Sequence, residues 1–276
     1  MSQGYVTRSV ERWRDGQVVR EDDDVAEEMP IAMVYNGETF AVMMATPHDL
    51  EDFALGFSLS EGLIEHPWQL LSIESQVLLE GIALSMQVPS DTPAARIGAE
   101  RQRLLPGRSG CGICGTRDLE QAIRQSEPVG TGALIERASL ERALAALQSH
   151  QPMNGATGAV HAAAWADMHG QILLVREDVG RHNALDKLLG ALRREGIDPA
   201  TGMVLVTSRA SYEMVTKATR AGVTLLIAIS APTALAIELA RSAGLTLIGF
   251  ARRGSHNVYT HPHRIAAAGA LESGSP

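Results

Sequence analysis

Cysteine is almost absent: 276 residues hold two, Cys111 and Cys114. A disulfide-stapled scaffold is therefore excluded, and the C-x-x-C spacing points to metal binding or thiol chemistry. Long apolar runs are also missing. The longest, around residues 223–229, is strand-sized and interrupted by Thr224, so no membrane-spanning helix is expected. Aromatic residues make up only 4%, and Trp13, Trp68 and Trp165 form no stacking array of the kind single-stranded nucleic-acid binders use. A formal net charge of −8 argues against broad nucleic-acid binding while leaving room for a local basic pocket. There is no Walker A string and no G-x-G-x-x-G after a strand, so the common phosphate loops are absent. The zinc-deaminase signature, H-x-E or C-x-E followed by P-C-x-x-C, is absent too. Residues 1–20 are polar and carry arginine without an apolar segment, so a secretory signal is not expected.

What is present centres on Arg108-Ser109-Gly110-Cys111-Gly112-Ile113-Cys114-Gly115-Thr116, where glycine flanks each cysteine. Glycine tolerates positive φ, so the string reads as a flexible, exposed loop over residues 96–116. Three chemistries fit it. The thiolates are half of a zinc site, or a dithiol redox pair, or a relay in which one thiolate carries sulfane sulfur and the other releases it. Arg108, Arg117 and a helix start near Thr116 favour the thiolate form.

Around this loop the chain falls into distinct stretches. Residues 1–28 read as a solvated polar arm, with Arg8, Arg12, Arg14 and Arg20 followed by the acidic run Glu21-Asp22-Asp23-Asp24. Residues 29–95 read as a smaller α+β part. It has a hairpin around Asn36-Gly37, a helix from an N-cap at Thr46 to Gly62, and a strand over 77–88 broken at Gly81. Residues 117–265 read as an α/β domain. Helices are expected over 118–125 and 139–149, and a hairpin over 159–176 turning at His169-Gly170. Helices over 180–194, 211–221 and 232–243 then alternate with strands over 203–207, 223–229 and 245–250. The alternation implies a layered α/β domain with a mixed, largely parallel central sheet. Residues 266–276 read as a flexible tail.

In such sheets ligands bind beyond the C-terminal strand ends, where helix N-termini offer free N–H groups. Four crossings lie there. The first carries Gly180, Arg181, His182 and Asn183; the second Ser208 and Arg209; the third Ser230 and Thr233. The fourth runs through Phe250, Ala251, Arg252, Arg253, Gly254 and Ser255. Arginine in three of the four, with hydroxyls and glycine throughout, describes a pocket for a large polyanion such as a nucleotide or pyrophosphate-bearing cofactor. His182 reads equally as ligand contact, proton shuttle or backbone cap. Asp178 and Asp186 read as partners that orient Arg181 or Lys187.

Six strings in order resemble the formate dehydrogenase accessory sulfurtransferase (FdhD) family. They are Thr46-Pro47-His48-Asp49-Leu50-Glu51-Asp52-Phe53-Ala54-Leu55-Gly56-Phe57; Cys111-Gly112-Ile113-Cys114-Gly115; Glu177-Asp178-Val179-Gly180-Arg181-His182-Asn183-Ala184-Leu185-Asp186-Lys187; Ser211-Tyr212-Glu213-Met214; Ser230-Ala231-Pro232-Thr233; and Gly249-Phe250. The resemblance runs from the Asn-Gly hairpin to Tyr259-Thr260. It implies a cytidine-deaminase-like fold, a cytoplasmic homodimer, and sulfur taken from a cysteine desulfurase for the molybdenum cofactor of formate dehydrogenase. It makes Cys111 the persulfide carrier and Cys114 its partner. It places the guanine dinucleotide end of the bis-molybdopterin guanine dinucleotide cofactor near Phe250–Ser255, where a GDP-like nucleotide would mimic part of it. A non-catalytic cofactor-binding chaperone is the alternative reading. This chain departs from the family at Ser208-Arg209-Ala210, where Ser-Gly-Arg is usual, and at Val160, where Phe is common.

Overall fold

The structure, a computed structural model, describes residues 3–96 and 128–266. Cys111, Cys114, the loop around them, the helix expected over 118–125 and most of the tail lie outside the described residues.

The expected solvated arm is instead a long antiparallel hairpin of β1 (Tyr5–Arg14) and β2 (Gln17–Ala26), turning at Asp15 and Gly16. Read along the chain, its charges form separate basic and acidic blocks. Read across the ladder, they pair: Arg12 with Glu21 at 2.6 Å and Asp23 at 3.1 Å, and Arg20 with Glu11 at 3.0 Å. Cross-strand pairs of opposite charge are a unit of sheet stabilisation, and here they convert a polar arm into a ribbon.

β3 (Met29–Tyr35) and β4 (Glu38–Ala45) form the expected hairpin, with Asn36 and Gly37 both at positive φ as a two-residue primed turn requires. The single broken strand expected over 77–88 is a second hairpin, β5 (Ser72–Val77) and β6 (Ile82–Gln87). Together they make a sheet of order β4-β3-β6-β5. Helix α1 (Leu50–Ser60) covers it by burying Phe53 and Phe57 among Ile31, Met33, Leu84 and Met86. Thr46 does not cap this helix. Asp49, at φ 52°, is the N-cap, while buried Thr46 turns its hydroxyl to accept the Val179 N–H at 3.2 Å.

After β7 (Ile135–Glu136), α2 (Arg137–Ala146) and α3 (Pro152–Thr157) come β8 (His161–Asp167), β9 (Ile172–Asp178) and α4 (Arg181–Arg194). Then follow β10 (Gly202–Val206), α5 (Tyr212–Arg220), β11 (Leu225–Ala228), α6 (Ala234–Ser242), β12 (Thr246–Arg252), β13 (Ser255–Val258) and the short β14 (Ile265–Ala266). Strands β8 to β13 form one sheet of order β13-β12-β11-β10-β8-β9. It is mixed, as expected, but not largely parallel: only β10–β11 and β11–β12 run parallel. Two tight hairpins, β8–β9 and β12–β13, need no crossover and so place antiparallel strands at both flanks. Helices α4, α5 and α6 pack on one face of this sheet and α2 on the other.

The two sheets are joined through α1 and α4, which cross so closely that their backbones touch. A Cβ on Gly56 would lie 1.7 Å from the Asp186 carbonyl oxygen, and one on Gly190 1.9 Å from that of Asp52. Two buried ionic clusters bracket the crossing. In one, Asp178 takes Lys187 at 2.6 Å, both fully buried. The Asp178 carboxylate also accepts the Thr46 and Gly180 N–H groups, and Lys187 donates to the Thr46 carbonyl at 3.0 Å. In the other, Lys217 donates to Asp186 at 2.9 Å and Glu61 at 2.7 Å, and the Ser60 hydroxyl donates to Asp186 at 2.6 Å.

Candidate functional site

The four crossings named from sequence meet at one edge of the six-stranded sheet. β9, β10, β11 and β12 all end there, and β8 begins there with His161 opposite Asp178. Backbone bonds lace the loops together: Thr207 N–H to Ala162 O at 3.0 Å, Thr233 N–H to Ala210 O at 3.0 Å, and Phe250 N–H to Ser230 O at 3.1 Å. A register shift between Gly249 and Arg252 lifts Phe250 into the left-handed region at φ 51°. Its ring is 48% exposed, which makes it the one phenylalanine among the large exposed apolar side chains of the described residues.

The named residues divide by what the fold has already asked of them. Arg209, Arg252 and Arg253 are exposed, and Arg181 is half-buried with its Nε shielded from water and unpaired. At the departure from the family pattern, position 210 is fully buried while 209 faces solvent, so the arginine sits where the crossing is open. Gly180 and Ser211, the N-caps of α4 and α5, make no side-chain cap bond; the first turn of α5 carries its own carboxylate, Glu213, whereas that of α4 has no acidic residue. Thr233 by contrast caps α6, accepting the Ala236 N–H at 3.3 Å. Ser208 is buried and donates to the Arg209 carbonyl, and Ser230 is half-buried at the same edge. Gly254 and Ser255 are exposed in the β12–β13 turn.

Two named residues serve the fold with their side chains. The Asn183 amide is spent on Asp178 at 3.0 Å and the Met44 carbonyl at 2.9 Å. Ala251 points into the core with Ile248 and Ile227, leaving only its backbone at the edge. Asp178 orients Lys187 as expected, whereas Asp186 takes Lys217, a lysine the sequence reading passed over.

His182, in the first turn of α4, lines a small pocket between α1, α4 and α5 with Met43, Phe57, Glu61, Asp186, Glu213 and Lys217. Its Nε2 is buried without a hydrogen bond and lies 4.0 Å from Glu213. Burial, then the charges of Arg181 and Lys217, push its pKa down to about 4, so the imidazole is neutral at physiological pH. Burial raises Asp186 above the usual carboxylate range in spite of Lys217. Burial also opposes the charge on Lys217, yet Asp186 and Glu61 hold its pKa above the ordinary value. Lysine four residues after Glu213 on one helix face was the available signal for this cluster.

The molecule is a layered, mixed α/β protein whose sheet edge gathers four arginines, the starts of α4 and α5 and an exposed aromatic ring. The chain belongs to the FdhD/NarQ family, whose model matches residues 26–266. It is 56% identical over 262 residues to the sulfur carrier protein FdhD of Xanthomonas euvesicatoria, covering 95% of this chain and 92% of that one. It is 51% identical over 267 residues to the sulfur carrier protein FdhD of Cupriavidus necator, covering 97% and 92%. Its fold is similar to the crystal structure of a candidate formate dehydrogenase accessory protein from Desulfotalea psychrophila, with a TM-score of 0.73 at 24% identity over 95% of this chain and 99% of the other.

Proposed function

We propose that this protein is a sulfur carrier that delivers sulfane sulfur to the molybdenum cofactor destined for formate dehydrogenase. The observation that carries the reading is the convergence of Arg181, Arg209, Arg252 and Arg253 with the uncapped start of α4 on one edge. The chain's two cysteines stand two residues apart. The names of the relatives support the sulfur-carrier part of the reading.

The chemistry needs no outside oxidant. The Cys111 thiolate attacks the outer sulfur of a persulfide on a cysteine desulfurase. The new S–S bond forms as the donor's breaks, and the donor leaves as thiolate. On delivery the Cys114 thiolate attacks the inner sulfur of Cys111. A Cys111–Cys114 disulfide closes, the outer sulfur departs at the hydrosulfide level to the acceptor, and a dithiol reductant resets the pair. The acceptor is bis-molybdopterin guanine dinucleotide. Its phosphates are taken by the arginines and helix ends, and its guanine end by the stretch from Phe250 to Ser255.

Cys111→Ala is expected to abolish activation of formate dehydrogenase while leaving the circular dichroism spectrum and nucleotide binding intact. Full activation by that variant would sink the mechanism. Incubation of the wild-type chain with a desulfurase and cysteine should add the mass of one sulfur, located on Cys111 by peptide mapping.

A further inference from the structure

β5 is an edge strand. The four-stranded sheet runs β4-β3-β6-β5, and among the described residues β5 pairs with β6 alone. Its other side presents a row of backbone N–H and C=O groups with no strand to take them. Proteins commonly guard such an edge with lysine, proline, a bulge or a covering element. β5 has none of these: it reads Ser-Ile-Glu-Ser-Gln-Val, its register against β6 is unbroken, and residues 74–80 are all exposed. The opposite edge strand, β4, is tied to α4 through the Met44 carbonyl and Asn183, so β5 is the free side of this sheet.

The apolar side chains at both ends of the edge are left in water. Leu71 is 64% exposed, Val77 76% and Leu79 98%. Ile73 packs against the core beneath α1, and the core stops short of Val77. Exposed apolar residues gathered on an unguarded edge mark a pairing surface.

The order of residues along the edge identifies what pairs with it. Two copies meeting antiparallel about a twofold axis oppose residues of the same face, so allowed registers differ by steps of two. With Ser75 opposite the partner's Ser75, Ile73 faces the partner's Val77 and Leu71 the partner's Leu79. In the same register Glu74 faces the partner's Gln76, whose amide is a donor for the carboxylate. One step away on one side, Glu74 faces the partner's Glu74, a like-charge pair. One step away on the other, Glu74 faces the partner's Leu78 and Ser75 the partner's Val77. Larger shifts leave Leu71 or Val77 beyond the overlap. The edge is therefore complementary to a second copy of itself in one register.

We propose that β5 is a homotypic interface: a second copy of this chain adds its β5 antiparallel to the first, with Ser75 at the twofold axis, so that two four-stranded sheets join into one of eight.

Sedimentation equilibrium of the full chain over a range of concentrations tests this in the wild type, Gln76→Glu, Gln76→Lys and Leu79→Asp. Both positions are exposed in the single chain, so its fold should be unchanged, which circular dichroism checks. The wild type is expected to show a reversible monomer–dimer equilibrium. Gln76→Glu sets a carboxylate against Glu74 twice per dimer and should raise the dissociation constant about tenfold. Gln76→Lys sets an ammonium there and should lower it about tenfold. Leu79→Asp puts a charge into the apolar end of the ladder and should raise it by about tenfold or more. A wild type that stays monomeric at every concentration overturns the proposal. So does a dimer whose dissociation constant ignores all three substitutions, since its interface then lies elsewhere. Glutamate and lysine at position 76 shifting the constant in the same direction would overturn the opposition of Glu74 and Gln76, and with it the β5 ladder.

Discussion

Burial sets the proton on His182. Its pKa lies at about 4, below the ordinary 6.5, so the unfolded chain takes up the proton first as pH falls. Its contribution to stability is therefore present above pH 6.5 and is lost as pH falls toward 4. Asp186 works the other way: its raised pKa means the native state binds a proton first, and that contribution is lost as pH rises. The two slopes oppose each other, so the informative quantity is a difference between variants. Urea unfolding of wild type and His182→Asn between pH 7 and pH 4.5 should show the wild type losing on the order of 2 kcal/mol more than the variant on acidification. Parallel curves would mean that the imidazole stays solvated or protonated in the native state. At this scale the sequence was a good guide to charge and a poor one to orientation. Arg209 and Arg253 stand exposed as expected, whereas the exposed Arg252 already donates to the Ile229 and Ala251 carbonyls and Arg181 is half-buried. Asn183 and Ala251 share their motifs, yet the Asn183 amide is claimed by Asp178 and by the Met44 carbonyl 139 residues away, and Ala251 by the core, which no local pattern encodes.

Among the elements, the α1–α4 crossing decides how the molecule closes. Gly56 and Gly190 let the two backbones touch, and larger residues have no room because the obstructing atoms are main-chain carbonyls. Gly56→Ala removes helix-interior glycine, which in an exposed helix would gain about 1 kcal/mol. Here the clash must part the helices, and overpacking of that kind costs about 1–3 kcal/mol or more. The expected outcome is a thermal midpoint lowered by several degrees, read by circular dichroism; a raised midpoint would show that the helices slide apart at no cost. Most elements were legible before the structure, since the turn at Asn36-Gly37 and the alternation after residue 180 are local signals. The β1–β2 hairpin was not, because its charges were read in blocks along the chain and their meaning lies across the ladder. The sheet is less parallel than expected because β13, which follows β12 by a tight turn, was not foreseen as a strand, and because the expected hairpin seats β8 antiparallel to β10 as well as to β9.

Among the described residues the two larger sheets, of four and six strands, are packed together through α1 and α4, and the latch between them is ionic as well as apolar. Lys187 is the most exposed to argument because it is itself not exposed at all: it reaches from α4 to Asp178 on β9 and to the Thr46 carbonyl between β4 and α1. Its Nζ also lies 5.9 Å from the centre of the Phe53 ring. Removing one partner of such a pair leaves a buried charge uncompensated, at about 3–5 kcal/mol, whereas removing both is far milder. Lys187→Met should therefore destabilise strongly, and Asp178→Asn with Lys187→Met should recover part of the loss. The position of the latch adds a consequence that a local defect would not have. Thr46 leads into α1 beneath the four-stranded sheet, and Asp178 leads from the six-stranded sheet into the first turn of α4, beside Arg181. Loosening the latch should lower hydrogen-exchange protection in β3 and β6 by the same free energy as in β10 and β11, and should weaken pyrophosphate binding at the sheet edge with it. Loss confined to one sheet would instead mean that the two sheets unfold independently, and that the edge takes its shape from the six-stranded sheet alone.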